Sequence, residues 1–328
     1  MDKKDEIILQ QLETIRTMTE RNLRSMGGDF WGTPFENVTG APEKKPASKD
    51  GGGKPAAAQP AEKKADEPEP LPKENLADLQ AELDSYIGLA DVKEEVKNLI
   101  NMVNVYKLRR AHDLPTTDMS LHMVFTGNPG TGKTMMARMM ARIYRSLDIL
   151  SKGQLVEVDR SGLVAGYVGQ TALKTQKVIE KAMGGVLFID EAYALNGKSE
   201  NDFGQEAIDT ILKAMEDHRD DLVVIVAGYT DLMEKFIHSN PGLESRFNRF
   251  LLFEDYSPDE MLAIFRMQCK KGCYQLAEGT EELVRDYINE ENGDPETFGN
   301  ARGVRNCFEH ILVAQNNRLA AMESVTKD

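Results

Sequence analysis

The sequence is poor in cysteine, in long apolar runs and in signals for export. Its three cysteines, Cys269, Cys273 and Cys307, are too few for a disulfide framework and indicate a reducing compartment. No apolar run approaches the roughly 20 residues that a membrane helix needs. The first residues include acidic side chains where a signal peptide would be plainly basic. We therefore expect a cytoplasmic protein without a membrane span.

Net positive charge is also lacking, because 54 acidic residues outnumber 40 basic ones and the formal net charge is −14. Such a field repels phosphate, so we do not expect nucleic-acid binding to be the main activity. The five histidines are scattered without the spacing of metal ligands. The pair Cys269 and Cys273 lacks two further ligands, so no zinc site is expected.

The composition divides the chain into segments. Residues 41–72 hold seven of the thirteen prolines, and Leu71 is their only apolar side chain other than alanine. This composition predicts a disordered linker. Residues 1–40 combine a heptad-like helical pattern with the aromatic segment DFWGTPF, which indicates an arm that binds a partner or self-associates. A solvated helix, with the aromatic residues folded back, is the alternative.

Strand and helix patterns alternate after residue 76. Apolar runs predict five strands, at 121–127, 154–159, 186–190, 222–228 and 250–253. Helices are predicted at about 91–112, 132–147, 169–183 and 203–217. This alternation predicts an α/β domain over residues 73–257, in which helices cover both faces of a parallel sheet. Only helical patterns follow Ser257-Pro258, at 259–271, 280–290 and 301–319, so an all-helical domain is predicted for residues 258–328.

The strongest motif is GNPGTGKT, residues 127–134, which matches G-x-x-x-x-G-K-[ST] between a predicted strand and a predicted helix. Such a P-loop turns backbone N–H groups toward phosphate oxygens at the positive end of a helix dipole. Lys133 is expected to reach the β- and γ-phosphates of ATP, and the Thr134 hydroxyl to bind Mg²⁺. The predicted nucleotide-binding residues here are Asn128, Pro129, Gly130, Thr131, Gly132, Lys133 and Thr134.

A second motif, VLFIDE, ends a predicted strand with two carboxylates. We expect this strand to lie beside the P-loop strand, where Asp190 would give Mg²⁺ its second protein contact. Glu191 would then act as general base toward the attacking water. An acidic pair after a strand is often only a helix cap. Its occurrence after a complete P-loop nevertheless predicts a Mg²⁺-dependent ATPase.

Together these motifs resemble those of the AAA+ ATPases. Within that superfamily the chain is most similar to the group of red-type Rubisco activase and stage V sporulation protein K. The segments that carry this similarity are LVAGYVGQTALKT, GGVLFIDEAYAL, FGQEAIDTILKAMED, SNPGLESRF and FGNARGVRN. The resemblance covers about Leu83 to the C-terminus. It implies a P-loop AAA+ module with a five-stranded parallel sheet, followed by a helical lid.

The resemblance also implies roles for two arginines. Arg246 corresponds to the arginine finger that reaches the γ-phosphate of the neighbouring subunit, and Arg249 is a second candidate. Arg302 corresponds to the sensor arginine of the lid. Arg305 competes with it, because it follows one turn later and helix phase alone does not choose between them.

The resemblance also bears on two further segments of the chain. Ile87 and Gly88 precede the first helix as the adenine-pocket segment of the family does. Tyr229 follows the fourth strand, where many AAA+ proteins place a polar residue that positions the lytic water. Because tyrosine departs from that pattern, the water-positioning role is not assigned to it.

The loop Tyr167-Val168-Gly169 resembles the aromatic–aliphatic–glycine loop that faces the central pore of AAA+ hexamers. An exposed aromatic ring flanked by glycines suits a mobile group that grips a polypeptide, whereas a buried loop tyrosine is the structural alternative. The resemblance thus implies a homo-hexameric ATPase that pulls on a protein client. The alternative function is a nucleotide-dependent assembly switch or scaffold that recruits partners through the N-terminal arm.

Overall fold

The computed structural model describes residues 69–116, 120–167, 169–197 and 203–322. The predicted arm at 1–40, most of the predicted linker and Val168 lie outside the described residues. Within the described part, five strands form the central sheet: β1 (Met123–Gly127), β2 (Leu155–Val158), β3 (Val186–Ile189), β4 (Val223–Gly228) and β5 (Phe250–Phe253). Their order is β2-β3-β4-β1-β5 and all neighbours are parallel, which confirms the predicted five-stranded parallel sheet.

The strand order differs from the prediction in one respect. The two motifs predict that β3 lies beside β1, but β4 lies between them. That prediction is wrong because an apolar run identifies a strand without fixing its neighbours. The register pairs both Ile189 of β3 and Val124 of β1 with Val226 of β4. Ile189 at the end of β3 is therefore level with Val124 near the start of β1, about 10 Å away across two strand spacings, and the carboxyl ends of both strands face the same side of the sheet.

The three central strands are apolar throughout because helices cover both faces of the sheet. Every residue of β1, β3 and β4 is buried. Alternate side chains enter two separate cores, Phe125, Phe188 and Ile225 on one face and Val124, Leu187 and Val224 on the other.

Different helices complete the two cores. The first core also contains residues of α1 (Leu76–Ser85), α2 (Ala90–Ala111) and α3 (Lys133–Ser146). The second contains residues of α4 (Arg160–Leu163), α5 (Thr171–Ala182), a 3₁₀ helix (Ala192–Leu195), α6 (Gly204–Asp217), α7 (Thr230–His238) and α8 (Pro241–Arg246). Among the described residues, no helix is long and apolar enough to cross a bilayer.

The segment after the sheet is the predicted helical lid. It contains α9 (Pro258–Lys271), α10 (Thr280–Glu291), the short α11 (Pro295–Phe298) and α12 (Ala301–Ala320). Ser257 begins α9 with a capping box, since its side chain accepts from the Glu260 N–H and the Glu260 carboxylate accepts from the Ser257 N–H. The lid has its own core, to which Leu262, Phe265 and Ile288 belong. The short helix α11 carries no apolar periodicity and was not predicted.

The segment before α1 is attached to α3, the helix that follows the P-loop. The Leu71 N–H donates to the Lys152 carbonyl at 2.9 Å. Arg142 of α3 donates to Glu74 at 2.7 Å and to Glu82 of α1 at 2.8 Å. These hydrogen bonds lower the pKa of both carboxyl groups. Within the described part of the chain, hydrogen bonding to the α/β domain therefore begins at Leu71.

Candidate active site

The P-loop connects the end of β1 to the start of α3. Gly130 and Gly132 have φ values of 74° and 99°, in the left-handed region that suits glycine. Gly132 is the N-cap of α3, and none of the described side chains caps this helix end. Its first N–H groups are therefore available to an anionic ligand, and the helix dipole favours negative charge there.

Lys133 is a partly buried cation at this loop. Its Nζ donates to the carbonyls of Gly127 and Asn128, both at 2.7 Å. Burial lowers the pKa of Lys133 to about 8; the charge of Asp190 opposes this effect and that of Arg302 adds to it. The structure thus brings the P-loop lysine, the carboxylate after β3 and the lid arginine into one electrostatic neighbourhood.

The two carboxylates of the second motif directly follow β3. Asp190 accepts a hydrogen bond from the Glu191 N–H at 3.0 Å. Glu191 adopts φ 47° and ψ 42°, a left-handed conformation that is uncommon for a residue other than glycine. Such backbone strain is found preferentially at active sites and persists only where the surrounding structure imposes it. The observation makes Glu191 the strongest candidate for a reacting group in this region.

Two tyrosines lie beside these carboxylates. The rings of Tyr193 and Tyr229 have centroids 6.2 Å apart. Burial raises the pKa of Tyr193 to about 12, and the charge of Glu191 and a hydrogen bond to it add to the effect. Burial also raises the pKa of Tyr229, with contributions from the charges of Glu296 and Glu191. Sequence reasoning missed Tyr193, although its position two residues after Glu191 could have indicated it.

The structure separates the two candidate sensor arginines. The charge of Arg302, at the start of α12, acts on both Lys133 and Tyr229. Arg305 instead places its Nε 2.9 Å from a carboxylate oxygen of Glu309, on its own helix. The geometry therefore favours Arg302 over Arg305 as the arginine that serves the P-loop.

Tyr256 connects the predicted adenine segment with the P-loop. Its hydroxyl donates to the Thr131 carbonyl at 3.3 Å. A Cβ added to Gly88 would lie 3.0 Å from the Tyr256 ring, and one added to Gly132 would lie 3.4 Å from the Tyr256 hydroxyl. Ile87 packs against the lid core. Sequence reasoning missed Tyr256 and its neighbour Asp255, although both follow the last strand at the edge where ligands bind in parallel sheets.

The candidate finger arginines lie elsewhere. Arg246 ends α8, with its Nη2 3.4 Å from a carboxylate oxygen of Glu216. Its charge also acts on His122, which lies just before the start of β1. Arg249 donates to the Ser120 carbonyl at 3.2 Å. Both arginines are therefore near the start of β1, whereas the P-loop follows its end.

Tyr167 is also remote from the P-loop, in the connection between α4 and α5 that follows the edge strand β2. Its side chain is 74% exposed, which contradicts the alternative of a buried loop tyrosine. Gly169 has a φ of 75°, and Val168 between them lies outside the described residues.

Comparisons with known proteins agree with this arrangement. The family model of the ATPase family associated with various cellular activities (AAA) matches residues 123–255, and that of the AAA lid domain matches residues 257–328. The chain is 45% identical over 249 residues to the chloroplastic ribulose bisphosphate carboxylase/oxygenase activase of Cyanidioschyzon merolae, covering 76% of this chain and 84% of the relative.

Two bacterial proteins show similar identity. Protein CbbX of Cereibacter sphaeroides is 45% identical over 257 residues, which cover 77% of this chain and 81% of the relative. Stage V sporulation protein K of Bacillus subtilis is 40% identical over 246 residues, which cover 74% of this chain and 76% of the relative. Together with the P-loop, the acidic pair after β3 and the helical lid, these matches show that the chain belongs to the AAA+ ATPases, in the group of Rubisco activase and stage V sporulation protein K.

Proposed function

We propose that this ATPase remodels a protein client, working as a homo-hexameric ring that pulls on the client through a central pore. The observation that carries the proposal is the exposure of Tyr167 on a loop with fixed ends. An exposed tyrosine offers a partner both apolar ring area and a polar hydroxyl, which is why tyrosine is enriched at interfaces. The N-terminal arm at 1–40, on its linker at 41–72, is proposed to bind a partner.

The ends of the Tyr167 loop are fixed by hydrogen bonds. The Ala165 N–H donates to the Thr171 hydroxyl at 3.0 Å, and Lys174 Nζ donates to the Val164 carbonyl at 3.0 Å. Apart from the chain neighbours of each glycine, no atom of the described residues lies within 4 Å of a Cβ position built on Gly166 or Gly169. Gly166 and Gly169 therefore lie beside open space while the ends of the loop are attached, which suits a group that grips a passing polypeptide.

The P-loop residues fit ATP. The uncapped start of α3 and the partly buried Lys133 would hold the phosphates, and Ile87 and Gly88 would contact the adenine. Thr134 and Asp190 would supply the one or two protein oxygens that Mg²⁺ usually takes. Bound ATP supplies a phosphoanhydride whose hydrolysis drives the cycle.

Other residues are proposed to serve the hydrolysis. Glu191 would accept the proton of the attacking water. The hydrogen bond from Tyr193 would orient that carboxylate. Arg302 would contact the phosphates from the lid of the same subunit.

The first client to test is ribulose bisphosphate carboxylase/oxygenase, because a relative with 45% identity is named as its activase. Other clients can be captured on the Glu191→Gln protein with ATP. We expect Tyr167→Ala to keep basal ATPase activity and ring formation but to lose client-stimulated ATPase activity. Tyr167→Phe should behave like the wild type, because the ring area and not the hydroxyl makes the contact.

Val313→Ala provides a matched control, since it shortens another exposed apolar side chain on the far part of the lid. It should leave client stimulation unchanged. If Tyr167→Ala protein is stimulated by a bound client as strongly as the wild type, pulling by this loop is wrong. The alternative of a nucleotide-dependent assembly switch that recruits partners through the N-terminal arm would then be favoured.

A further inference from the structure

Asp255 accepts hydrogen bonds from two parts of the molecule at once. The Asn128 side chain, in the P-loop, donates to its two carboxylate oxygens at 3.1 and 2.9 Å. The Asn300 side chain, directly before α12 of the lid, donates to one of them at 2.8 Å. Because Asp255 itself follows β5, one carboxylate joins the sheet, the P-loop and the lid.

Asn300 uses its whole side-chain amide in this junction. Its Oδ1 accepts from the Tyr256 N–H at 2.9 Å, and its Nδ2 also donates to the Pro129 carbonyl at 3.3 Å. The residue is completely buried, with an exposed fraction of 0%. A buried amide that loses its partners is destabilised, since water does not replace them. These bonds therefore restrict where the lid can lie relative to the P-loop.

The backbone reinforces the junction on both sides of Asn300. The Ala301 N–H donates to the Gly130 carbonyl at 3.3 Å. A Cβ on Gly130 would lie 2.1 Å from the Gly299 carbonyl oxygen, so only glycine allows this approach. Asn300 itself has φ 53° and ψ −127°, a strained conformation for a residue other than glycine. Strain of this kind persists where the surrounding contacts hold it.

We infer that Asp255 and Asn300 form a latch through which the conformation of the P-loop sets the position of the lid. Arg302 lies two residues beyond Asn300 at the start of α12, so any shift of the latch also shifts this arginine relative to Lys133. Asn300 is thus a positioning residue, acting on the site through Arg302. The inference goes beyond the proposed function, because it holds for any client and for a protein without one.

The test exchanges the side chains of Asp255 and Asn300, first one at a time and then together. Asn300→Asp keeps the size of the side chain and an acceptor for the Tyr256 N–H, but it places a second carboxylate against Asp255. Asp255→Asn removes the carboxylate that the two amides share. The double variant Asp255→Asn/Asn300→Asp restores one amide and one carboxylate and keeps the net charge of the wild type. Asn317→Asp, at the exposed far end of α12, is the control for added charge.

The measurement is amide hydrogen exchange of residues 299–306 in the full chain, with and without ADP and Mg²⁺. In the wild type we expect ADP to slow this exchange by about tenfold. Each single variant should lose most of the response while still binding ADP, and its kcat should fall by about tenfold with KM changed less than about threefold. The double variant should recover part of both the exchange response and kcat, because an aspartate at position 300 cannot donate to the Pro129 carbonyl, and Asn317→Asp should behave as the wild type.

The inference is overturned if ADP does not slow exchange in the wild type, or if the single variants respond as the wild type does. It is also overturned if the double variant recovers nothing although it binds ADP and melts near the wild-type temperature. If Asn300→Asp does not fold, Asn300→Gly replaces it in the comparison with the wild type. Glycine suits the backbone conformation at this position and lacks the side-chain amide that forms the latch. None of these measurements involves a client or a mixed ring, so their failure is separable from that of the proposed function.

Discussion

Glu191 combines an acidic side chain with a left-handed backbone conformation. The following residues form a short 3₁₀ helix whose N-cap is Glu191, yet its side chain caps none of the described N–H groups. Tyr193 interacts with its carboxylate instead. The Glu191 side chain therefore does not serve as a helix cap, which was the alternative interpretation of the acidic pair.

We expect Glu191→Gln to bind ATP with wild-type affinity and to lose hydrolysis by about 10²–10⁴-fold, because glutamine keeps the shape but does not accept the proton. Phosphate release and a nucleotide-binding titration measure the two effects separately. Lys133→Ala is the contrasting variant and should lose the rise of melting temperature that ATP causes. Wild-type turnover in Glu191→Gln would show that another group is the base.

The site residues that could be predicted from the sequence and those that could not differ in how far apart in sequence their contacts are. Lys133, Thr134, Asp190 and Glu191 belong to short motifs next to strands and could be identified locally. Asn300 was missed because its amide contacts Asp255 and Pro129, which are 45 and 171 positions away. A single asparagine is not part of a periodic sequence pattern, and its contacts form only when the lid packs against the α/β domain.

At the scale of elements, the strands were predicted because each is a short apolar run with turn signals around it. The order of the strands was not predicted. It depends on the pairing of β1 with β4, whose paired residues are about a hundred positions apart in sequence. His122 illustrates how such pairing is held. Its Nδ1 accepts from the N–H of Val224 beside the start of β4 at 3.0 Å, and the Met215 carbonyl near the end of α6 accepts from the ring.

Burial and the nearby charge of Arg246 lower the pKa of His122 from 6.5 to about 4. Its folded-state pKa is below the unfolded value, so its stabilising effect is fully present above pH 6.5. The effect is lost as the pH falls toward 4, and the difference corresponds to about 3 kcal/mol. As the pH is lowered across this range, the urea concentration at which half of the wild-type protein is unfolded should fall.

His122→Asn is the matched variant, because its Oδ1 can accept from the Val224 N–H without titrating. Subtracting its pH profile removes the contribution of carboxyl groups such as Glu74 and Glu82, whose pKa values are lowered by Arg142. The wild type should lose more stability than His122→Asn between pH 6.5 and 4.5. Parallel profiles for the two proteins would exclude His122 as the cause.

At the scale of the whole molecule, Arg246 and the P-loop lie near opposite ends of strand β1. Arg246 acts on His122, just before β1, and the P-loop follows β1. A strand of five residues is about 16 Å long, which is too far for an arginine side chain to bridge. Arg246 also has a buried Nε that makes no hydrogen bond within the described part of the chain. If Arg246 serves ATP hydrolysis, the ATP must therefore be bound by a neighbouring subunit.

Mixing two inactive variants tests this arrangement. Arg246→Ala supplies an intact P-loop, and Lys133→Ala supplies an intact arginine. In randomly mixed rings with head-to-tail interfaces, about one quarter of the sites combine both, so activity should return to about a quarter of the wild-type value. The control pairs Glu191→Gln with Lys133→Ala. Both of these changes damage the P-loop side of a site, so no mixed interface is complete and no activity should return. Native mass spectrometry establishes that the mixed rings form. Absence of rescue in such rings, or equal rescue in the control, would place Arg246 outside the shared site.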